Sequence, residues 1–153
     1  MPSRSKLLTG AAGEHYVSYQ LSKRGFVVGL TRGGTQSVDL LVSNEKGDKR
    51  ISIQVKTMDS AYQERKRKPE NSHWHFFVHK KGFEHNEKGF LYAFVDMKGK
   101  FNENPSVFIV PSKDVIEYLG PNPEDWSIPS FLISLNEKDK YLERWDIIEK
   151  LLR

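Results

Sequence analysis

Apolar residues recur along this chain at two spacings, one helical and one strand-like. Near the start, Ala11, Val17 and Leu21 return at roughly helical intervals and Gly25 follows, which predicts a helix from about Leu8 to Lys23. Shorter apolar runs come next. "FVVGLTR", "SVDLLVS" and "RISIQVKTM" read as three strands, the last two joined by a turn at Gly47-Asp48. "AYQERKRKPENS" reads as a polar, basic loop with a helical turn. "HWHFFVH", "FLYAFVDM" and "SVFIVPS" read as further strands. Ser112 is placed to cap a short helix, "KDVIEYLG", and "GPNPEDWSIPS" is loop. In "NEKDKYLERWDIIEKLLR", Tyr141, Trp145, Ile148 and Leu152 fall on one face of a continuous amphipathic helix with Asn136 as its cap. Helix, strands, helix, helix is the order of an α/β or α+β fold with a mixed sheet flanked by helices.

The hairpin at residues 37–57 breaks the apolar pattern with Asp39, Gln54 and Lys56. Strand side chains alternate, so Ile51, Ile53 and Val55 share one face, and Ser52, Gln54 and Lys56 share the other. A two-residue turn at Gly47-Asp48 sets Asp39 opposite Lys56 and Leu41 opposite Gln54, and opposed residues project on the same face. An Asp–Lys pair across a hairpin is most often a surface ion pair of little energy. Here the Ile-, Val- and Leu-rich strands read instead as buried on both faces. In the first helix, Glu14 lies one turn from Ala11, Val17 and Ser18, at the border of the apolar stripe, where a carboxylate can face a sheet packed beneath it.

With 153 residues, 37% apolar and 29% charged, the chain has the balance of one globular domain over residues 1–153. No run approaches the ~18 apolar residues of a membrane helix, and "MPSRSKLL" lacks the apolar core of an export signal. The absence of cysteine excludes disulfides and thiolate zinc sites and fits a reducing cytoplasm. A net charge of +4 is a mild preference for polyanionic partners.

Glu in a first helix, Asp in a strand, and Q-x-K on the next strand of a hairpin together resemble the PD-(D/E)XK nuclease superfamily. "GEHYVSYQLSKRGF" and "SVDLLVSNEKGDKRISIQVKT" are especially similar to its Holliday-junction-resolvase-like branches. Residues 10 to 57, about a third of the chain, carry the close match, and "LYAFVDM" with "SVFIVPSKDV" is a weaker one. Val38 stands where the name-giving proline would be. Gln54 replaces the usual second acid and removes one negative charge from the site.

The resemblance implies a restriction-endonuclease-like sheet and a Mg²⁺-dependent DNA endonuclease, with Mn²⁺ as a substitute ion. It implies Asp39, Gln54 and Glu14 as metal residues and Lys56 as the group that positions or deprotonates the attacking water or stabilises phosphate charge. A lysine base needs a lowered pKa. The alternative is a nucleic-acid-binding module that keeps the fold without turnover. A small nuclease cutting both strands often works as a homodimer.

Other candidates are weaker. Arg65, Lys66, Arg67 and Lys68 read equally as a grip on DNA phosphates and as a solvated charge run. Arg32, in "GLTRGGTQS", sits in a loop at the mouth of the site, within reach of phosphate. Ser37 and Thr57 are lone hydroxyls that read as strand fillers. His73, His75 and His79 lack the acid or cysteine partners a zinc site needs. Trp74, Phe76, Phe77, Tyr92 and Phe94 follow strand patterns and read as core.

Overall fold

The computed structural model describes residues 5–32, 37–78, 88–122, 125 and 127–153. The first helix, α1, spans Lys6–Lys23. Ser5 caps it, its hydroxyl accepting the Leu8 N–H at 3.3 Å. Gly25, at φ +88°, releases the chain after Arg24. Strands β1 (Val27–Leu30), β2 (Leu40–Ser43) and β3 (Arg50–Met58) follow. Then come β4 (Tyr62–Gln63), a 3₁₀ turn at Pro69–Asn71, β5 (His73–Phe77), β6 (Phe90–Asp96) and β7 (Ser106–Pro111). Helix α2 (Ser112–Leu119), β8 (Ser130–Ser134), α3 (Lys138–Tyr141) and α4 (Trp145–Leu152) complete the chain.

Five strands form a mixed sheet in the order β1-β2-β3-β6-β7, with β3 and β6 parallel and the other neighbours antiparallel. One face packs on α1 and α4 through Val17, Leu21, Ile53, Val55, Ala93, Val95, Trp145 and Ile148. The other face, through Tyr92, Phe94, Phe108 and Val110, meets Phe76, Phe131 and Ile133 of a second, three-stranded sheet ordered β4-β5-β8. All seven residues of β6 are buried, as a central strand covered on both sides requires. The cover is incomplete toward β1. There Val27 and Leu41 are 54% and 55% exposed, and Leu41 pairs with Gly29, which offers it no side chain.

Four features differ from the sequence reading. The hairpin turn is longer than two residues. Asn44 and Lys49 close it, with Asn44 N–H to Lys49 carbonyl at 3.2 Å, and the Asn44 side chain bonds both Asp48 and the Lys49 N–H. Leu40 therefore pairs with Ile53 and Leu41 with Ser52. Asp39 continues this ladder opposite Gln54 rather than Lys56. The slip is two residues, so every side chain keeps its face.

The C-terminal segment is not one helix. Leu142 bridges to Phe108 of β7, and Glu143 turns to φ +52°. The Glu143 N–H donates to the Val107 carbonyl at 2.7 Å while its carboxylate accepts the Val107 N–H at 2.9 Å and the Trp145 indole N–H at 2.7 Å. These bonds to the sheet edge outweigh the few helical bonds given up at the break. The expected cap Asn136 is displaced by Glu137, which precedes α3. Ser112 is likewise the first residue of α2, after Pro111, and it is buried. Finally, the second sheet was not expected. Its strand β8 alternates Phe131 and Ile133 inward but follows a proline-rich loop that masks the signal.

Candidate functional site

The polar residues of the hairpin are Asp39, just before β2, and Gln54 and Lys56 of β3, a strand whose other face packs on α1. Asp39 sits one residue before β2 and is fixed from three sides. Its N–H donates to the Ile53 carbonyl at 3.0 Å, and its carbonyl accepts the Thr31 N–H at 2.9 Å. Its side-chain Oδ2 accepts the Val55 N–H of β3 at 2.7 Å. The Thr31 hydroxyl also donates to the Val38 carbonyl at 2.7 Å. Thr31 thus pins the backbone that presents Asp39. A lone threonine at a strand end carries no sequence signal for that role.

On β3, alternation keeps Gln54 and Lys56 on the face shared with their parallel partners Tyr92 and Phe94. Gln54 is 3% exposed, and its Oε1 is buried with no hydrogen-bond partner. An unsatisfied buried oxygen is costly, on the order of 1–3 kcal/mol. Where one persists beside a carboxylate, a bound cation is the natural partner.

The three charged groups perturb one another. Burial pushes the Asp39 carboxyl above the usual carboxylate range, against the pull of the Val55 N–H and of Lys56. Burial also lowers Lys56, opposed by the Asp39 charge. Glu14 is raised by burial and then by the Asp39 charge, with His15 pulling it down. Asp39 is therefore an electrostatic neighbour of Glu14 on the helix and of Lys56 on the other arm of the hairpin.

The helix reaches this position because of Gly13. A Cβ at Gly13 would fall 1.9 Å from the Thr57 Oγ1, 2.9 Å from its Cβ and 3.0 Å from its Cγ2. No side chain fits there, so the backbone of α1 lies directly on Thr57. That hydroxyl is itself buried without a hydrogen-bond partner. Gly13 next to Glu14 is a positioning feature that the sequence reading missed. A glycine inside a helix is a signal that could have found it.

Carboxylate and amide oxygens are the donor types that Mg²⁺ or Mn²⁺ accepts while keeping several waters. Among the described residues there is no group of three or more His, Cys, Asp or Glu able to hold an ion. His73 bonds the Asn71 carbonyl at 2.9 Å and His75 bonds the Ser130 hydroxyl at 2.8 Å, while His79 lies outside the described residues.

The structure does not bring every candidate together. Arg65, Lys66, Arg67 and Lys68 are exposed in the β4–β5 connection, around a separate cavity of about 390 Å³. That connection is held by the Arg65 N–H on the buried Ser72 hydroxyl at 2.9 Å. Arg32 is exposed just after β1, and Gly33 and Gly34 lie outside the described residues. Ser37 is half-buried at the entry to the hairpin.

Two solved structures share the fold of the whole chain. The structure of a bacterial homing endonuclease, I-Ssp6803I, superposes with a TM-score of 0.64 at 17% identity, covering 97% of this chain and 95% of that one. The Holliday junction resolvase Hjc of Archaeoglobus fulgidus superposes with a TM-score of 0.53 at 15% identity, covering 91% and 98%. This chain shares the fold of these two structures. No protein-family model and no curated protein matches the sequence. The shared fold is a mixed sheet flanked by helices, and among the described residues no helix is long and apolar enough to cross a membrane.

The shifted carboxyls give a stability test. The folded-state pKa of Asp39 is above its unfolded value, so the folded state holds its proton to higher pH. Stability from this group is present below the unfolded pKa and is lost as pH rises through the folded one. Asp39→Asn keeps an oxygen for the Val55 N–H and removes the buried charge. The variant is expected to melt above wild type at pH 7 to 8 without metal, and the gap should close as pH falls through the carboxylate range. Thermal melts across pH measure this. A variant that melts lower at every pH would mean that the Asp39 charge stabilises the fold.

Proposed function

We propose that this chain is a divalent-metal-dependent DNA endonuclease that hydrolyses phosphodiester bonds in the cytoplasm. One observation carries the reading: the Gln54 Oε1 is buried without a partner, on the strand that carries Lys56 and across the ladder from Asp39. Asp39, the Gln54 amide oxygen and Glu14 would hold Mg²⁺ or Mn²⁺. Such an ion offsets phosphate charge and lowers the pKa of bound water.

The protein's own groups do the rest. The Val55 N–H fixes the Asp39 carboxylate, and Gly13 lets α1 bring Glu14 beside it. Lys56 meets the attacking water at the phosphate. Burial lowers its pKa, which raises the share of amine able to take a proton from water as the new P–O bond forms and the 3′ P–O bond breaks. The departing 3′-oxygen takes its proton from solvent. Cutting both strands with one site per chain calls for two copies on the DNA.

Supercoiled plasmid incubated with Mg²⁺, Mn²⁺ or chelator tests the reading. Wild type is expected to nick in either metal and not in chelator. Gln54→Glu restores an acid and is expected to lower the metal concentration needed for half-maximal single-turnover cleavage. If wild type cuts nothing in any metal and Gln54→Glu gains cleavage, the native chain is a binding module without turnover.

The basic connection is proposed as a phosphate-binding segment outside the chemical step. Changing Arg65, Lys66, Arg67 and Lys68 to alanine is expected to weaken DNA binding. It should also flatten the slope of log affinity against log salt, by up to ~0.9 for each phosphate no longer neutralised. Cleavage at saturating protein should be nearly unchanged. An unchanged slope would make the four cations a solvated face.

A further inference from the structure

We propose that the groove beside Lys56 takes an unpaired nucleotide next to the bond that is cut. The preferred substrate is then DNA with a fork, flap or break rather than uninterrupted duplex. The inference rests on the nuclease reading and narrows its substrate class.

The groove encloses about 780 Å³ and is lined by Lys6 at the start of α1, Lys56 and Met58 of β3, Asp59, Phe77 of β5 and Ile128, among others. That volume is within the ~300–1,000 Å³ range of pockets that enclose small-molecule-sized groups. Lys56 belongs both to the groove and to the Asp39 cluster. An occupant of the groove is therefore continuous with a phosphate held at that cluster. Two lysines face one aspartate, which suits a phosphate-bearing chain. The walls are apolar in a way phosphate alone does not need. Phe77 is 43% exposed, its ring packing on His75 with centroids 4.8 Å apart, and Ile128 is 62% exposed. A base within a duplex already has both faces covered by its neighbours. An unpaired base has a free face that stacks on an aromatic ring whatever its identity.

Two DNAs of one sequence test this. One is a continuous duplex, and the other opens into a fork with 2-aminopurine at the first unpaired position. Binding is measured without divalent metal, so neither is cut. Wild type is expected to bind the fork about tenfold more tightly, with 2-aminopurine fluorescence quenched, a preference on the scale of one base–aromatic stack. Phe77→Ala should remove both the preference and the quenching, and Phe77→Tyr should keep them. Ile128→Glu, a change at an exposed position, should weaken fork binding and leave duplex binding alone.

Equal affinity for both DNAs with no quenching in wild type overturns the inference. If plasmid is still nicked in Mg²⁺ or Mn²⁺, the nuclease reading survives that result. If DNA is neither bound nor cut, both fall together. If wild type self-associates in sedimentation, and Ile128→Glu abolishes this without changing fork preference, the groove is an interface between copies and the inference is wrong.

Discussion

Lys56→Ala is expected to cut DNA ~10²–10⁴ times more slowly than wild type, the usual penalty when a proton-transfer group is removed. Affinity for uncut DNA should change little, because this is one cation among the 24 lysines and arginines of the chain. The two quantities separate only if Lys56 acts on the reacting atoms. Its position supports that, since burial lowers its pKa and the Asp39 carboxylate beside it supplies the opposing pull. Single-turnover cleavage and anisotropy binding, run on the same preparation, give both numbers. Lys56→Ala cutting at the wild-type rate would remove Lys56 from the chemistry and take the proposed mechanism with it.

Gly13→Ala should be nearly as damaging while touching no substrate. A new Cβ would sit 1.9 Å from the Thr57 Oγ1, far inside van der Waals distance, so α1 must lift or β3 must bend. Overpacking of this kind costs ~1–3 kcal/mol, or roughly 3–10 °C in Tm for a chain of this size. Lifting the helix also carries Glu14 away from Asp39. Cleavage is therefore expected to fall more than stability alone explains, with a higher metal requirement. Adding Thr57→Ala removes two of the three atoms that clash and should restore part of both deficits. If Gly13→Ala melts and cuts like wild type, the helix has room that the structure does not show, and Glu14 is not held by this close approach.

Much of the hairpin could be read from the sequence because parity is robust. The expected turn was too short by two residues, and the pairing slipped by two. A period of two is blind to such an error, so Gln54 and Lys56 still share a face. A one-residue error would have inverted the site. The elements that were misread depend on partners distant in sequence. The amphipathic pattern of Tyr141, Trp145 and Ile148 is real, and all three are buried. The helix breaks between Tyr141 and Trp145 because Val107, far earlier in the chain, bonds Glu143. Thr31 and Gly13 went unnoticed for a related reason. One works through backbone bonds to Val38 and Asp39, and the other through the atoms it lacks. The sequence marks Gly13 only as a glycine within a helix and does not mark Thr31 at all.

The parallel pairing of β3 with β6 has a consequence for the order of events during synthesis. Glu14, Asp39, Gln54 and Lys56 all precede residue 57, and the helix and hairpin that carry them can emerge from a ribosome early. The strand that pairs with β3 along Gln54 and Lys56 begins only at Phe90. Until then β3 lacks its parallel partner, and the burial that lowers the Lys56 pKa is incomplete. A nascent chain therefore holds every residue of the cluster without the environment that makes it reactive. Under the nuclease proposal, completion of the sheet supplies the burial that lowers the Lys56 pKa.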